Sequence, residues 1–296
     1  MKRLSPASAG ILLYILAIMT MTVMDAMAKA MAQELPVLQV VWARYAGQTL
    51  VVTLLILPRL GRVLRTQYPG LQFLRSLFLL TATSAFFYGI SQMGLAEATA
   101  LIDLNPVLIT LGAALFLGER IGPRRIFGIL AALTGALIII RPGSEVFSPF
   151  AAFPLLAAVC YAAYALATRF VGRGESVWTS LFYTALLGTV VLSLAVTQIW
   201  QTPSERAIRM MLALGVVAAI GQFLLIRAFM IAEASLVAPF SYVGLPFAAL
   251  WGFLFFAELP DRFTVLGAAI IAAAGIYVWH RETREARRGA TEVSAP

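Results

Sequence analysis

The chain has 296 residues, of which 61% are hydrophobic and only 12% charged, and its mean hydropathy is +0.89. A water-soluble domain carries roughly twice that charged fraction, so the composition excludes a soluble globular protein and makes lipid the natural solvent. The net charge of +8 does not point to nucleic acid, because the cations are nearly all Arg and lie between apolar runs, where membrane topology accounts for them.

A membrane-crossing helix needs about 20 apolar residues, since the hydrocarbon core is ~30 Å thick and each residue rises ~1.5 Å. Ten stretches meet that condition, near 10–32, 37–57, 71–93, 98–117, 123–141, 149–170, 177–199, 208–231, 235–256 and 262–280. Pro36, Pro58, Pro69-Gly70, Gly122-Pro123, Pro142-Gly143, Pro203 and Pro260-Asp261 punctuate the breaks. The sequence thus predicts an all-α polytopic membrane protein of about ten transmembrane helices, with no room between them for a soluble domain. Residues 282–296 form a charged tail expected to fray.

Along the chain, Lys2, Arg3, the run Ile11–Met24 and Ala26-Met27-Ala28 have the layout of a cleavable leader. Removing it would leave nine spans and break the repeat described below, so the run is read as the first span. That span holds Asp25 and Lys29, four apart and therefore on one helical face. The second span holds Arg44, Tyr45 and Gln48; the third, Tyr88 and Gln92, again four apart. The fourth carries Asp103 and Pro106, the sixth Tyr161 and Tyr164, the eighth Gln222, and the ninth Pro239, Tyr242 and Pro246. Small residues at helical spacing mark the fifth span (Gly128, Ala132, Ala136) and the tenth (Gly267, Ile271, Gly275). Such stripes let helices approach closely in lipid, so these two spans are expected to pack together. The prolines are expected to kink or break the fourth and ninth spans. Tyr14, Tyr68, Trp178, Trp200 and Tyr277 lie near span ends and read as an interfacial aromatic belt.

Orientation follows from the basic residues. With the N-terminus inside, Lys2, Arg3, Arg59, Arg62, Arg65, Arg75, Arg120, Arg124, Arg125, Arg169, Arg173, Arg281, Arg284, Arg287 and Arg288 fall on the cytoplasmic side. Arg141, Arg206, Arg209 and Arg262 fall opposite. The positive-inside rule then places both termini in the cytoplasm of a bacterial-type inner membrane.

The halves echo each other. Pro106, Gly112 and Phe116 recur as Pro246, Gly252 and Phe256 at a constant offset of 140, and Ala96-Glu97-Ala98 recurs as Ala232-Glu233-Ala234. Five spans per half is an odd number, so the second half enters the membrane with opposite polarity. Residues 1–144 and 145–281 are therefore expected to form an inverted-topology repeat, the architecture that lets a midplane site open to one side and then the other.

With these features in place, the chain resembles the EamA-type drug/metabolite transporters. The resemblance rests on the two five-span halves and on the short acidic turns Leu117-Gly118-Glu119-Arg120 and Ala257-Glu258-Leu259-Pro260. It rests also on the Gly-rich final span of each half, and on Lys29 and Arg44-Tyr45 in the first two spans. As a whole the chain is similar to the YddG-type amino-acid exporters of that family. What the resemblance implies is export of amino acids, aromatic ones included, and related small metabolites through a central cavity.

Ionisable groups inside a span cost on the order of 2.5–3.5 kcal/mol each by insertion scales, so each needs a reason. Asp25, Lys29, Arg44 and Asp103 are expected in the outer half of the membrane, binding substrate charges or forming an outer gate. The structural alternative is an Asp25–Lys29 pair with Arg44–Asp103 as a second lock. Tyr45, Gln48, Tyr88, Gln92, Tyr161, Tyr164, Gln222 and Tyr242 are candidates for an aromatic cavity wall with a few hydrogen-bonding groups, against the plainer role of interhelical contacts.

One cysteine (Cys160), one histidine (His280) and two lysines (Lys2, Lys29) leave no disulfide, no Cys/His metal site and no phosphate-binding Lys loop. No catalytic motif, cofactor or nucleic-acid partner is expected, and direct ATP coupling within the chain is excluded. Small amphipathic metabolites and the lipid bilayer are the expected partners, and a monomer should suffice because one chain holds both halves. An exporter of other metabolites or of cationic drugs, and a non-transporting scaffold, are the alternatives.

Overall fold

The computed structural model describes residues 6–117, 123–141, 148–171, 174–232 and 237–293. Glu119, Arg120, Pro142, Gly143, Arg173, Glu233 and Ala234 lie outside them. Every regular element among the described residues is helical. In chain order these are α1 (Pro6–Met31), α2 (Val37–Ile56), a short α3 (Leu60–Val63), α4 (Pro69–Gln92), α5 (Leu95–Ile102) and α6 (Asn105–Leu117). They continue with α7 (Pro123–Ile140), α8 (Ala152–Val171), α9 (Val177–Val196), α10 (Glu205–Ile231), α11 (Gly244–Phe256) and α12 (Arg262–Val293).

Among the described residues, six helices are long and apolar enough to cross a membrane: Ser8–Met31, Val37–Val63, Pro69–Gln92, Pro149–Val171, Val177–Val196 and Glu205–Ile231. The other predicted spans are shorter apolar helices, and the fourth and ninth are interrupted. The fourth breaks between Ile102 and Asn105, directly before Pro106. A ring at that position lacks the N–H and crowds the carbonyl one turn back, so the helix stops and restarts. In the ninth, a 3-10 turn from Ala238 to Val243 leads into α11. The tail behaves differently from expectation. Its backbone continues α12 to Val293, as a stretch rich in Glu, Arg and Ala favours.

The outer surface is studded with exposed Leu, Phe and Val; Leu54, Phe127 and Leu194 are each more than 60% exposed. Burial of apolar groups therefore does not tell inside from outside here. Helix association rests on close packing and polar contacts instead. The dominant pairings are α1 with α10, α4 with α8, α2 with α9 and α7 with α12. α2 also packs on α10, and α4 on α9.

The expected pairing of the fifth and tenth spans is present, with Ala132, Ala136 and Ile271 in its core. Its tightest point is Gly135 against Gly267: a Cβ built on either would lie 2.7 or 2.5 Å from the other's carbonyl oxygen. Asp261 ties these helices at one end. It caps α12 through Thr264 N–H (2.7 Å) and pairs with Arg141 (2.6 Å) at the end of α7. Desolvation pushes the Asp261 carboxyl up, but its bonds to Thr264 and Arg141 together outweigh it and hold it below the usual range.

Candidate functional site

α1, α4, α5, α8, α10 and the Ala238–Val243 turn converge on a central cavity of about 100 Å³. Its wall is mostly apolar, with Ile18, Met21, Leu79, Phe86 and Phe87. Three ionisable groups share it: Asp25 from α1, Arg44 from α2 and Asp103 at the break between α5 and α6. Thr99, Asn105, Tyr161, Gln222 and Ser241 supply the remaining polar atoms. Both interrupted helices thus deliver their non-helical backbone and polar side chains to the same place, where irregular backbone is tolerated because it borders a cavity.

Arg44 is 2% exposed, and its charge is met by neutral groups. Its Nε donates to the Met24 sulfur and its Nη2 to Gln222 Oε1, both at 3.4 Å, while its guanidinium lies 4.5 Å from the centre of the Tyr45 ring. Nη1 has no hydrogen-bond partner. Asp25 is its electrostatic neighbour but stands beyond ion-pair distance. Gln222 continues the chain by donating to Tyr164, whose hydroxyl also accepts from Arg75 Nη2 (3.0 Å).

Arg75 is a residue that sequence reasoning misplaced. Counted there as a cytoplasmic cation, it is fully buried in α4. Its Nε donates to Thr168 (3.2 Å) and its Nη1 to Gln72 and the Ser180 carbonyl (both 2.9 Å). Its position six residues into the helix, with Gln72 three residues away on the same face, was the available signal.

Neither expected lock forms. Lys29 turns away from Asp25 and pairs with Glu258 at 2.6 Å, while its ammonium donates to the Met93 carbonyl at 2.7 Å. Glu258 reaches it because Ala257 adopts a left-handed conformation (φ 54°) at the end of α11, and its second oxygen accepts from Leu95 N–H at 3.1 Å. One ion pair therefore joins the ends of α1, α4 and α11 to the start of α5. Arg44 is likewise not bonded to Asp103.

The other candidates separate. Tyr161 and Gln222 line the cavity. Tyr45 and Tyr164 lie directly behind it, holding Arg44 and Arg75. Gln48 is buried without partners for its amide, outside the cavity wall. Tyr242 is buried over Gly275, leaving no space there for a side chain. Tyr88 packs on Phe153 (4.5 Å) near the protein surface and Gln92 bonds the adjacent Ser91, so neither reaches the cavity. Tyr14, read as interfacial, is fully buried against Phe229.

A mostly apolar pocket carrying two carboxylates and an arginine, enclosed by membrane-length helices, has the setting of a multi-pass membrane transporter. The chain belongs to the EamA-like transporter family, whose model matches it twice, over residues 8–141 and 149–279. It is 35% identical over 274 residues to the pseudopaline exporter CntI of Pseudomonas aeruginosa, covering 90% of this chain and 95% of that protein. It is 33% identical over 250 residues to a riboflavin transporter of Rhizobium johnstonii (82% of each chain). An S-adenosylmethionine uptake transporter of Rickettsia bellii is 27% identical over 277 residues (94% and 95%). A crystal structure at 22% identity matches with a TM-score of 0.67 over 95% of this chain and 98% of its own, which supports the fold. These relatives are transporters, and this protein is a transporter of the same family rather than an enzyme.

Proposed function

We propose that the protein is a secondary carrier exporting amino acids, aromatic ones included, and related amphipathic metabolites by alternating access. The observation that carries this reading is the central cavity, where groups of both charge signs, Arg44 and Asp25 with Asp103, stand among aromatic and aliphatic walls. A free guanidinium nitrogen suits a carboxylate; Phe86, Phe87 and Tyr161 suit an apolar side chain. One relative is named for carrying a methionine derivative, S-adenosylmethionine.

Alternating access follows from two inverted repeats, 1–144 and 145–281, and several observations support them. The family model matches once in each half. The packing pairs persist when the halves are exchanged: α1 with α10 becomes α8 with α4, and α2 with α10 becomes α9 with α4. Thr49 and Thr189, 140 residues apart, share a 2.7 Å hydrogen bond where α2 and α9 meet. Lys29 caps the end of α4 at Met93, and Arg169, 140 residues later, caps the end of α10 at Ala232 (3.1 Å). We place the protein in the inner membrane, as a monomer with both termini cytoplasmic. Without Arg75 the basic residues still divide fourteen to four in favour of that orientation.

A second reading, export of cationic metabolites or drugs, is favoured by one observation: the cavity holds two carboxylates to one arginine. Counterflow separates the two. Proteoliposomes loaded with unlabelled amino acids should accumulate a labelled one saturably, with no dependence on the pH gradient. Accumulation of labelled organic cations alone would favour the second reading and refute the first.

A further inference from the structure

The cavity wall around Asp103 carries a group of polar atoms with unused hydrogen-bonding capacity. Asp103 Oδ2, Asn105 Oδ1, Ser241 Oγ and the Tyr161 hydroxyl all line the cavity and belong to residues less than a tenth exposed; Ser241 faces the Asp103 carboxylate and Tyr161 faces Tyr14, and none of the four makes a hydrogen bond of good geometry. Two more hydroxyls, Tyr14 beside Tyr161 and Tyr242 over Gly275, stand behind them within electrostatic reach of the carboxylate. Among the described residues no cation lies within ion-pair distance of Asp103, and the charge of Arg44 acts on the other carboxylate, Asp25. Buried polar groups left bare are costly, and a buried lone carboxylate more so. Such a set persists where a ligand completes it.

The missing ligand can be read from what is left over. Every one of these cavity atoms can accept a hydrogen bond, and one is anionic. A primary ammonium brings one positive charge and three donors and no acceptor. It would use Asp103 Oδ2, Asn105 Oδ1 and one of the two hydroxyls, with tyrosine rings close by for a cation. We propose that the Asp103–Asn105–Ser241–Tyr161 wall is the ammonium subsite of the carried molecule, at the end of the cavity where the two interrupted helices meet. The proposal rests on the carrier reading above and adds to it the residues that select a protonated amine.

Binding to the purified protein tests it apart from transport. The probes are phenylalanine, its amine phenethylamine and its acid 3-phenylpropanoate, titrated by calorimetry in sodium-free detergent solution. Wild type should bind the amino acid and the amine. Asp103→Asn should weaken both by about tenfold or more, since a hydrogen bond to a charged group is worth that ratio, and should leave the acid within about twofold. Ser241→Ala, which removes one acceptor and no charge, should weaken the same two probes by a smaller factor and carries the test should the Asp103→Asn variant not fold. An amine affinity untouched by both substitutions, an equal loss for all three probes, or no wild-type binding of either amine would overturn the subsite. So would binding that requires sodium, which would put an alkali cation there instead. Amine binding that depends on Asp103 but is accompanied by no counterflow would leave the subsite standing and remove the carrier reading.

Discussion

The Lys29–Glu258 ion pair joins the ends of α1 and α11 on one side of the molecule, and a latch there would make a contribution of calculable size. Lys29 is 7% exposed at its side chain and Glu258 34%, so the pair is neither buried nor at the surface. Removing one member of a buried pair costs about 3–5 kcal/mol, whereas exposed pairs contribute ~0–1 kcal/mol. Discounting for the third of Glu258 that meets solvent, Lys29→Met should weaken the arrangement seen in the structure by about 1–2 kcal/mol. That corresponds to a roughly 5- to 30-fold change in a two-state population. Thr99 provides a reporter: it lines the cavity, and its hydroxyl bonds only the Leu95 carbonyl of its own helix. In a Cys160→Ser background, Thr99→Cys should react with a membrane-impermeant maleimide several-fold faster after Lys29→Met, and only from the face that carries Lys29. An unchanged labelling rate, or equal acceleration from both faces, would refute the latch.

Three further substitutions probe the frame around the cavity. Arg75→Met strands Gln72, Thr168, Tyr164 and the Ser180 carbonyl, and should lower stability by roughly 2–4 kcal/mol in thermal unfolding of the detergent-solubilised protein; an unshifted midpoint would show that the network is dispensable. Gly215→Ala would place a Cβ 2.5 Å from Gly47 Cα, backbone that cannot give way, so α2 and α10 must part at a cost of about 1–3 kcal/mol; Gly61→Ala, with nothing within 4 Å, should be silent in the same melt. Ala257→Gly should stabilise by about 1 kcal/mol, since the left-handed conformation that delivers Glu258 to Lys29 costs an alanine roughly 1–2 kcal/mol; a lower melting temperature would contradict that.

Much of the frame is legible in the residues because hydrophobic length and small-residue spacing are local signals. The stripe of Ala132 and Ala136, facing Gly267 and Ile271, foretells the α7–α12 contact, and Pro106 foretells the break after Asp103. The electrostatic partners are less legible. Helical spacing puts Asp25 beside Lys29, yet a glutamate 229 positions away wins, because a left-handed turn at Ala257 aims it there. Arg75 reads as an interfacial cation since its four partners come from three different helices. Tyr14 and Tyr88 exchange expected places for a related reason. In a bundle with apolar residues on both its inside and its outside, composition near a span end does not say which way a ring faces.

The most direct test of the account is whether transport passes through this cavity. Counterflow of a labelled amino acid should be measured in the Thr99→Cys, Cys160→Ser protein before and after complete maleimide modification, with and without excess substrate during labelling. Modification should abolish exchange, and substrate should slow the modification. Undiminished exchange in fully modified protein would contradict passage through this cavity.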